Sequence, residues 1–214
     1  MGRLLVLVVL ALGCAGAALA ANGEPQKHHN PADMARARSV VLRPSDLGST
    51  WKATPATSSE NGSLRCRAFA PDESDLTETG AASSPDFSQG LQYVSSYASL
   101  FETAAQAQAS WSRVVRPGLM TCLRTLFEQG ASSGGTTTKV TGTGVLAVPR
   151  LAPRTAGYRL SFTATNSNVT LRGAVDIVLL GRARIDAALL YVAFGTPSQA
   201  LERRLDRIIA ARLR

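Results

Sequence analysis

Two strand-forming segments separated by a very short connection constrain the fold of this chain most strongly. Residues 169–180 and Ile185–Phe194 are rich in β-branched and large apolar side chains, and Gly181-Arg182 between them is the expected turn. Parallel strands need a crossover of a dozen or more residues, whereas antiparallel strands need only a short turn. These two segments therefore predict a β-hairpin within an antiparallel sheet.

Other segments extend this predicted sheet. Large apolar residues alternate with polar ones over 158–163, which is typical of a half-buried strand. Residues 136–148 are rich in Thr and Val but include two glycines, which predicts a twisted or bulged strand. Residues 91–101 also alternate, and short strands are expected near Trp51 and over 64–69. The acidic stretch 71–90 is predicted to be a solvated loop without calcium-binding spacing.

Helices are predicted before, between and after these strands. Pro31 can begin the first helix behind the capping residue Asn30. Thr103 can cap a longer helical region, which Pro117-Gly118 interrupts before a second helical piece. Pro197 is expected to begin a final helix with an apolar stripe and a charged outer face comprising Glu202, Arg203, Arg204, Asp206, Arg207 and Arg212. Strands in runs with helices around them predict an α+β fold, an antiparallel β-sheet covered by helices.

The first twenty residues have the three parts of a secretory signal peptide. Arg3 supplies a positive charge, an apolar run follows, and small residues precede the predicted cleavage after Ala20. The polar segment 21–31 is expected to be a flexible linker, and 32–214 a single domain. A mature chain of about 190 residues is long enough to bury roughly 70% of its unfolded surface in one core.

Cys14 leaves a second interpretation of the leader open. A cysteine preceded by a small residue at the end of an apolar stretch also fits a bacterial lipoprotein signal, in which the cysteine is acylated. In that case the protein is anchored to a membrane through Cys14. With cleavage after Ala20 it is secreted instead, and both interpretations place it outside the cytoplasm.

Cys66 and Cys122 are the two cysteines that remain after the leader. An even number of cysteines in an oxidising compartment predicts a disulfide. No histidine lies in the predicted domain, since His28 and His29 belong to the linker, so a metal site is not expected. No cofactor is predicted either.

The charge balance suggests the kind of partner. Removal of residues 1–20 takes away one Arg and no acid, which leaves 22 basic and 15 acidic residues, a net charge of +7. For an exported protein, lipid or an anionic envelope polymer fits this charge better than nucleic acid, which is not expected as a partner. An ordinary solvated basic surface accounts for the same charge and is the favoured interpretation.

Recognisable catalytic constellations are absent from the sequence. Without a histidine in the domain, Ser-His-Asp and Cys-His mechanisms are excluded, and no nucleotide-binding loop is present. The alternative is a carboxylate-dependent hydrolase of cell-wall polymers that uses Asp176 and Asp186, each in an otherwise apolar strand. The favoured interpretation of both residues is structural, in which each carboxylate faces solvent or pairs with a nearby arginine such as Arg172, Arg182 or Arg184.

A binding groove is suggested by aromatic and small residues on the predicted strands. Tyr93, Ser95 and Tyr97 share one face of a strand, and Tyr158 and Phe162 share one face of another. Such a helix-covered sheet can enclose an apolar groove, although these residues also suit an ordinary core.

Several short motifs in chain order resemble exported actinobacterial proteins of unknown function: Asp46-Leu47-Gly48, Trp51, Cys66, Ser84-Pro85-Asp86-Phe87 and Cys122-Leu123. More distantly, the pattern is similar to extracellular sensor-type domains of actinobacterial Ser/Thr kinases and to PsbP-like envelope lipoproteins. The chain has one cysteine pair where the sensor domains tend to have two. The resemblance implies an α/β sandwich and a non-catalytic role in binding a ligand or partner.

Overall fold

A computed structural model of the chain describes residues 23–56, 65–130, 136–166 and 169–214. The predicted signal peptide, with Cys14 and Ala20, lies outside the described residues. The helices are α1 (Pro31–Val40), α2 (Pro44–Leu47), α3 (Ala104–Val114), α4 (Gly118–Gly130) and α5 (Gln199–Arg212). The strands are β1 (Gln26–Lys27), β2 (Lys52–Thr54), β3 (Thr77–Ser83), β4 (Asp86–Gln89), β5 (Gln92–Phe101), β6 (Thr136–Val145), β7 (Arg154–Asn166), β8 (Val169–Arg182) and β9 (Ile185–Phe194).

The described strands form one mixed, mostly antiparallel sheet. Its order is β1-β3-β5-β9-β8-β7-β6, with β4 also paired to β5 and β2 paired to β4. Only β1 and β3 are parallel to each other. The register of β6 on β7 shifts between Val140 and Gly142, as the glycines predicted. The sheet and its surrounding helices confirm the predicted α+β class.

The two faces of the sheet are covered by different helices. Helices α1, α2 and α5 cover the first face, where the buried side chains of the sheet and helices form one continuous cluster that includes Val94, Leu189 and Leu205. Helices α3 and α4 cover the second face. The caps of two helices are the predicted ones, since Asn30 accepts a hydrogen bond from the Asp33 amide at 2.9 Å and Thr103 from the Gln106 amide at 3.1 Å.

The acidic stretch 71–90 differs from the predicted loop because it contains strands β3 and β4. Strand β3 lies beneath α1, and a Cβ at Gly80 would stand 2.5 Å from the Asp33 carbonyl carbon. This close approach requires small residues, and such residues carry little strand signal. Within the predicted strand 64–69, the described residues 65–69 contain a single bridge between Cys66 and Phe69 instead of a strand.

Part of the predicted flexible linker is bound to the sheet. Gln26 and Lys27 form β1 and pair with Thr77 and Glu78 of β3, and the His29 ring lies 2.8 Å from the Glu78 carboxylate. The expectation of a free tether is therefore wrong for this part of 21–31. The polar composition gave no apolar periodicity, but backbone pairing to an edge strand does not need one.

The β8–β9 hairpin turns at Ala183 and Arg184, two residues later than predicted. Ala183 has a φ of 49° and takes the left-handed position, while Gly181 lies within β8 opposite Asp186. A side chain at Gly181 would collide with Asp186 and Arg154. The glycine therefore makes room for that ion pair and does not form the turn.

Candidate functional site

A cavity of about 580 Å³ lies between the second face of the sheet and helices α3 and α4. Its floor consists of β5, β9 and β8, and its roof includes Trp111 on α3 and Leu123 on α4. Ligand pockets in proteins usually measure about 300–1,000 Å³ and are mostly apolar. The volume and the lining both fit this class of site.

The cavity exists because small side chains occupy the middle of its floor. Ser95 pairs with Leu190, Tyr97 with Ala188 and Ser99 with Asp186, so that each pair contributes at most one large group. On this face the buried apolar residues form three separate clusters around the cavity, in contrast to the single cluster on the other face. The helices therefore pack around a space instead of filling it.

One end of the cavity is apolar. Leu123 and Phe127 of α4 face Val192 and Phe194 of β9 there. The ring centroids of Phe127 and Phe162 are 4.9 Å apart, and those of Phe162 and Phe194 are 5.3 Å apart. Tilted and edge-on arrangements of this kind stabilise the wall at this end.

The opposite end of the cavity is polar and acidic. Glu78 lies beside Tyr97, whose hydroxyl donates to the carboxylate at 3.2 Å. Burial and, to a smaller extent, the negative charge of Glu78 raise the pKa of the Tyr97 hydroxyl, which therefore remains protonated. Ser99 and Ser110 add hydroxyl groups to the same region of the lining.

Asp186 lies at this end in an ion pair. Arg154 donates to its carboxylate at 2.8 Å, and the Arg154 guanidinium lies 5.9 Å from the centre of the Trp111 ring. Burial raises the pKa of Asp186 to about 6, although Arg154 acts in the opposite direction. The predicted pairing of Asp186 with an arginine is confirmed, but the partner comes from β7.

Glu73 is the most deeply buried acid of the lining, with 4% of its surface exposed. Its Oε1 atom has no hydrogen-bond partner among the described residues. Burial raises the pKa of this carboxyl, and a hydrogen bond with Ser110 partly opposes the shift. A buried carboxylate oxygen without a donor costs free energy until a donor reaches it.

The disulfide between Cys66 and Cys122 joins α4 to the segment that contains the Cys66–Phe69 bridge. Cys122 is fully buried and packs with Phe69 and Leu119 beneath the same helix. Leu119 lines the cavity. The disulfide therefore holds one end of the cavity roof in place.

Asp176, the second predicted acid, lies on the first face of the sheet and away from the cavity. Arg159 donates to it at 2.6 Å, which confirms the expected arginine pairing with a different partner. Glu202 and Asp206 of α5 interact with Asp176 and are buried, so the prediction that they belong to a solvated face is wrong. Burial and, to a smaller extent, the charge of Asp176 raise the pKa of both carboxyls to about 7.

The structure does not bring Asp176 and Asp186 together. In the pairing of β8 with β9, Asp176 is opposite Tyr191 and Asp186 is opposite Gly181. The two acids are therefore offset by five residues along the strands, and their side chains lie on opposite faces of the sheet. At about 3.4 Å per residue their backbones are about 17 Å apart. Glycosidases need two carboxyls about 5–10 Å apart in one cleft, and this pair does not provide that geometry.

The groove suggested by the aromatic and small residues is present. Tyr93, Ser95 and Tyr97 line the cavity, while Tyr158 packs near the disulfide and Phe162 supports the wall from behind. Sequence patterns did not identify Glu73, because it lies in the stretch predicted as a loop.

Among the described residues, no group of three or more His, Cys, Asp and Glu side chains could hold a metal ion. Within the same residues, no helix is long and apolar enough to span a membrane.

The chain was compared with known proteins. No protein-family model matches it, and no curated protein is similar to it at a significant level. Among solved structures, it is similar to the extracellular domain of PknH from Mycobacterium tuberculosis, with a TM-score of 0.44 and 12% sequence identity. The similarity covers 84% of this chain and 98% of that one.

Proposed function

We propose that this protein is a non-catalytic, exported binding module that takes an apolar ligand into the cavity between the sheet and helices α3 and α4. The cavity itself carries the proposal, since it is large, mostly apolar, and bordered by polar groups at one end. An unfilled apolar cavity lowers stability because its lining loses packing contacts. A cavity of this size is therefore more easily understood as a ligand site than as a packing defect.

Export is part of the same proposal. The N-terminal signal pattern and the Cys66–Cys122 disulfide both fit an oxidising compartment outside the cytoplasm. Cys14 determines the final state of the protein, because acylation would anchor it to a membrane and cleavage after Ala20 would release it. The bound ligand would then be a component of the cell envelope.

An anionic polymer as the partner has weaker support. Arg203, Arg204 and Arg207 are exposed on α5, on the side of the molecule away from the cavity. Three arginines on one helix are also common on an ordinary solvated surface. The hydrolase alternative loses its predicted acid pair, since Asp176 and Asp186 do not share a cleft.

Native mass spectrometry of the protein purified from its own host tests the proposal. We expect a co-purifying small molecule that is lost when organic solvent unfolds the protein. The same spectrum reports whether Cys14 is acylated or the chain begins after Ala20. A spectrum without bound ligand, together with failure to bind alkyl-chain probes in solution, would contradict the proposed function.

A further inference from the structure

The charged side chains that line the cavity are all of one sign. The chain as a whole carries a net charge of +8. Yet the described residues that line the cavity include five acids and no Lys, Arg or His; the acids are Glu24, Glu73, Glu78, Asp86 and Asp186. In this basic protein, the ionisable side chains that line the apolar cavity are therefore acids and tyrosines.

Four of these acids lie near one another at the polar end. The charges of Glu24, Glu73 and Glu78 all act on the Tyr97 hydroxyl, and that of Glu73 also acts on Asp186. Phe194, at the apolar end, is eight residues along β9 from Asp186, or about 27 Å at about 3.4 Å per residue. The cavity is thus amphipathic along its length, with an acidic end and an apolar end.

The basic side chains that contact these acids lie outside the lining. Arg154 contacts Asp186 at 2.8 Å and Arg65 contacts Glu24 at 3.5 Å, while the His29 ring lies 2.8 Å from Glu78. Arg113 pairs with Asp75 on the surface and influences Glu73 only through its charge. The three arginines offset part of the negative charge from behind, and none of these four side chains offers a donor to the unpartnered oxygen of Glu73.

Three classes of amphiphile head group can be compared at this end. A carboxylate or phosphate head would be placed beside like charges, which is unfavourable in a partly dehydrated site. An alcohol head could donate one hydrogen bond to Glu73 without neutralising any charge. A protonated amine has up to three donors and the opposite charge, so it satisfies both the hydrogen bonding and the electrostatics of the acidic end.

We infer that the cavity binds a single-chain amphiphile with a protonated amine head, with the ammonium group between Glu73 and Asp186 and the tail directed toward Phe194. This inference rests on the proposed function, since it names the class of ligand for the same cavity. It assigns Glu73 and Asp186 as head-group ligands, whereas Leu123, Val192 and Phe194 contact the tail whatever the head group is.

Isothermal titration calorimetry with three probes of equal tail length tests the inference. The processed protein, obtained by expression with its own leader, is titrated at pH 7.5 with dodecylamine, dodecanol and dodecanoate, each below the concentration at which it aggregates or separates from solution. We expect dodecylamine to bind at least tenfold more tightly than dodecanol, and dodecanoate to bind most weakly. Equal binding of all three, or tightest binding of dodecanoate, would overturn the head-group assignment and leave the apolar cavity as a ligand site.

Variants of the acids provide the second measurement. Glu73→Gln and Asp186→Asn should each reduce dodecylamine affinity about tenfold and leave dodecanol affinity unchanged, while the exposed acid variant Glu102→Gln changes neither. If one variant fails to fold, the other still tests the assignment. Unchanged dodecylamine binding in both would overturn it. If none of the three probes binds to the wild-type protein, the proposed function and this inference fail together.

Discussion

Asp176 and Asp186 lie on adjacent strands and on opposite faces of the same sheet. Asp176 is 1% exposed and interacts with Arg159 and with two acids of α5, in the interface between the sheet and that helix. Asp186 faces a cavity of about 580 Å³. The two residues look equivalent in the sequence, but one affects the attachment of α5 and the other affects what the cavity can bind.

The acids beneath α5 should make stability depend on pH. The pKa of Glu202 and of Asp206 is about 7 in the folded protein, against ordinary values of 4.5 and 3.8. The folded state therefore binds more protons than the unfolded state between about pH 4 and pH 7, and stability falls as pH rises through this range. Asp206→Asn should be more stable than wild type at pH 8, by roughly 2–4 kcal/mol, and this advantage should be clearly smaller at pH 5 and vanish near pH 4.

Urea unfolding at pH 5 and pH 8, followed by circular dichroism, measures this difference. Glu102→Gln, which replaces an exposed acid, serves as the control and should show the same pH dependence as wild type. If Asp206→Asn were no more stable than wild type at pH 8, these carboxyls would not titrate in the way described.

Much of the sheet was predictable from two sequence signals. Strands β5 and β7 were predicted from the alternation of large apolar and polar residues, and β8 and β9 from their content of β-branched and large apolar side chains. Strand β3 was missed because its contact with α1 requires residues as small as Gly80. The burial of Glu202 and Asp206 was missed because a charged residue on a helix normally faces water.

The cavity could be predicted only in part. The alternation of Tyr93, Ser95 and Tyr97 identified one strand of its floor. Its roof depends on how α3 and α4 dock, and its acidic end depends on Glu73, from a segment without a repeating pattern. The sequence identified Asp186 as an acid in an otherwise apolar strand. The face of the sheet on which its side chain lies depends on the strand register, which could not be predicted from the sequence alone.

Filling the floor of the cavity should abolish binding without unfolding the protein. Ala188 is a small residue in the middle of the floor, so Ala188→Leu places a larger side chain where the ligand tail would lie. We expect at least a tenfold loss of affinity for dodecylamine and for dodecanol, because both use the same apolar space. The melting temperature should remain the same or rise slightly, since the new side chain occupies a void.

The matched control for this variant is Ala105→Leu, the same substitution at an exposed position of α3. Calorimetry on both variants, together with their thermal unfolding, separates loss of the cavity from loss of the fold. Wild-type affinity in a folded Ala188→Leu protein would place the ligand elsewhere.

Loss of the disulfide should affect stability and binding together. The bond between Cys66 and Cys122 closes a loop across a sequence separation of 56 residues, which is worth about 4 kcal/mol in the chain-entropy model. The double variant Cys66→Ala/Cys122→Ala should lose a comparable amount of unfolding free energy. It should also bind dodecanol more weakly, because α4 is no longer held over the cavity.

Urea unfolding of wild type with and without dithiothreitol provides the control for these substitutions. Reduced wild type should resemble the double variant, and the reductant should have no effect on the variant itself. A double variant with wild-type stability would show that the disulfide contributes little to holding α4.

The affinity for an amine should rise with pH because the acids at the polar end must be ionised to attract it. The pKa of Asp186 is about 6, raised by burial against the effect of Arg154, and burial also raises the pKa of Glu73. Below pH 6 much of the protein carries a neutral Asp186, and at pH 5 only about a tenth is ionised. If the ammonium group binds only the ionised form, dodecylamine affinity at pH 5 should be about tenfold lower than its plateau above pH 7.

Calorimetry at pH 5, 6, 7 and 8 measures this profile. Asp186→Asn should flatten it, and the double variant Glu73→Gln/Asp186→Asn should flatten it further. Dodecanol supplies the comparison with a neutral head group, and its affinity should change little over the same range. An amine profile that falls as pH rises would mean that the acidic end does not hold the head group, because the charge on these carboxylates increases in that direction while the amine remains protonated.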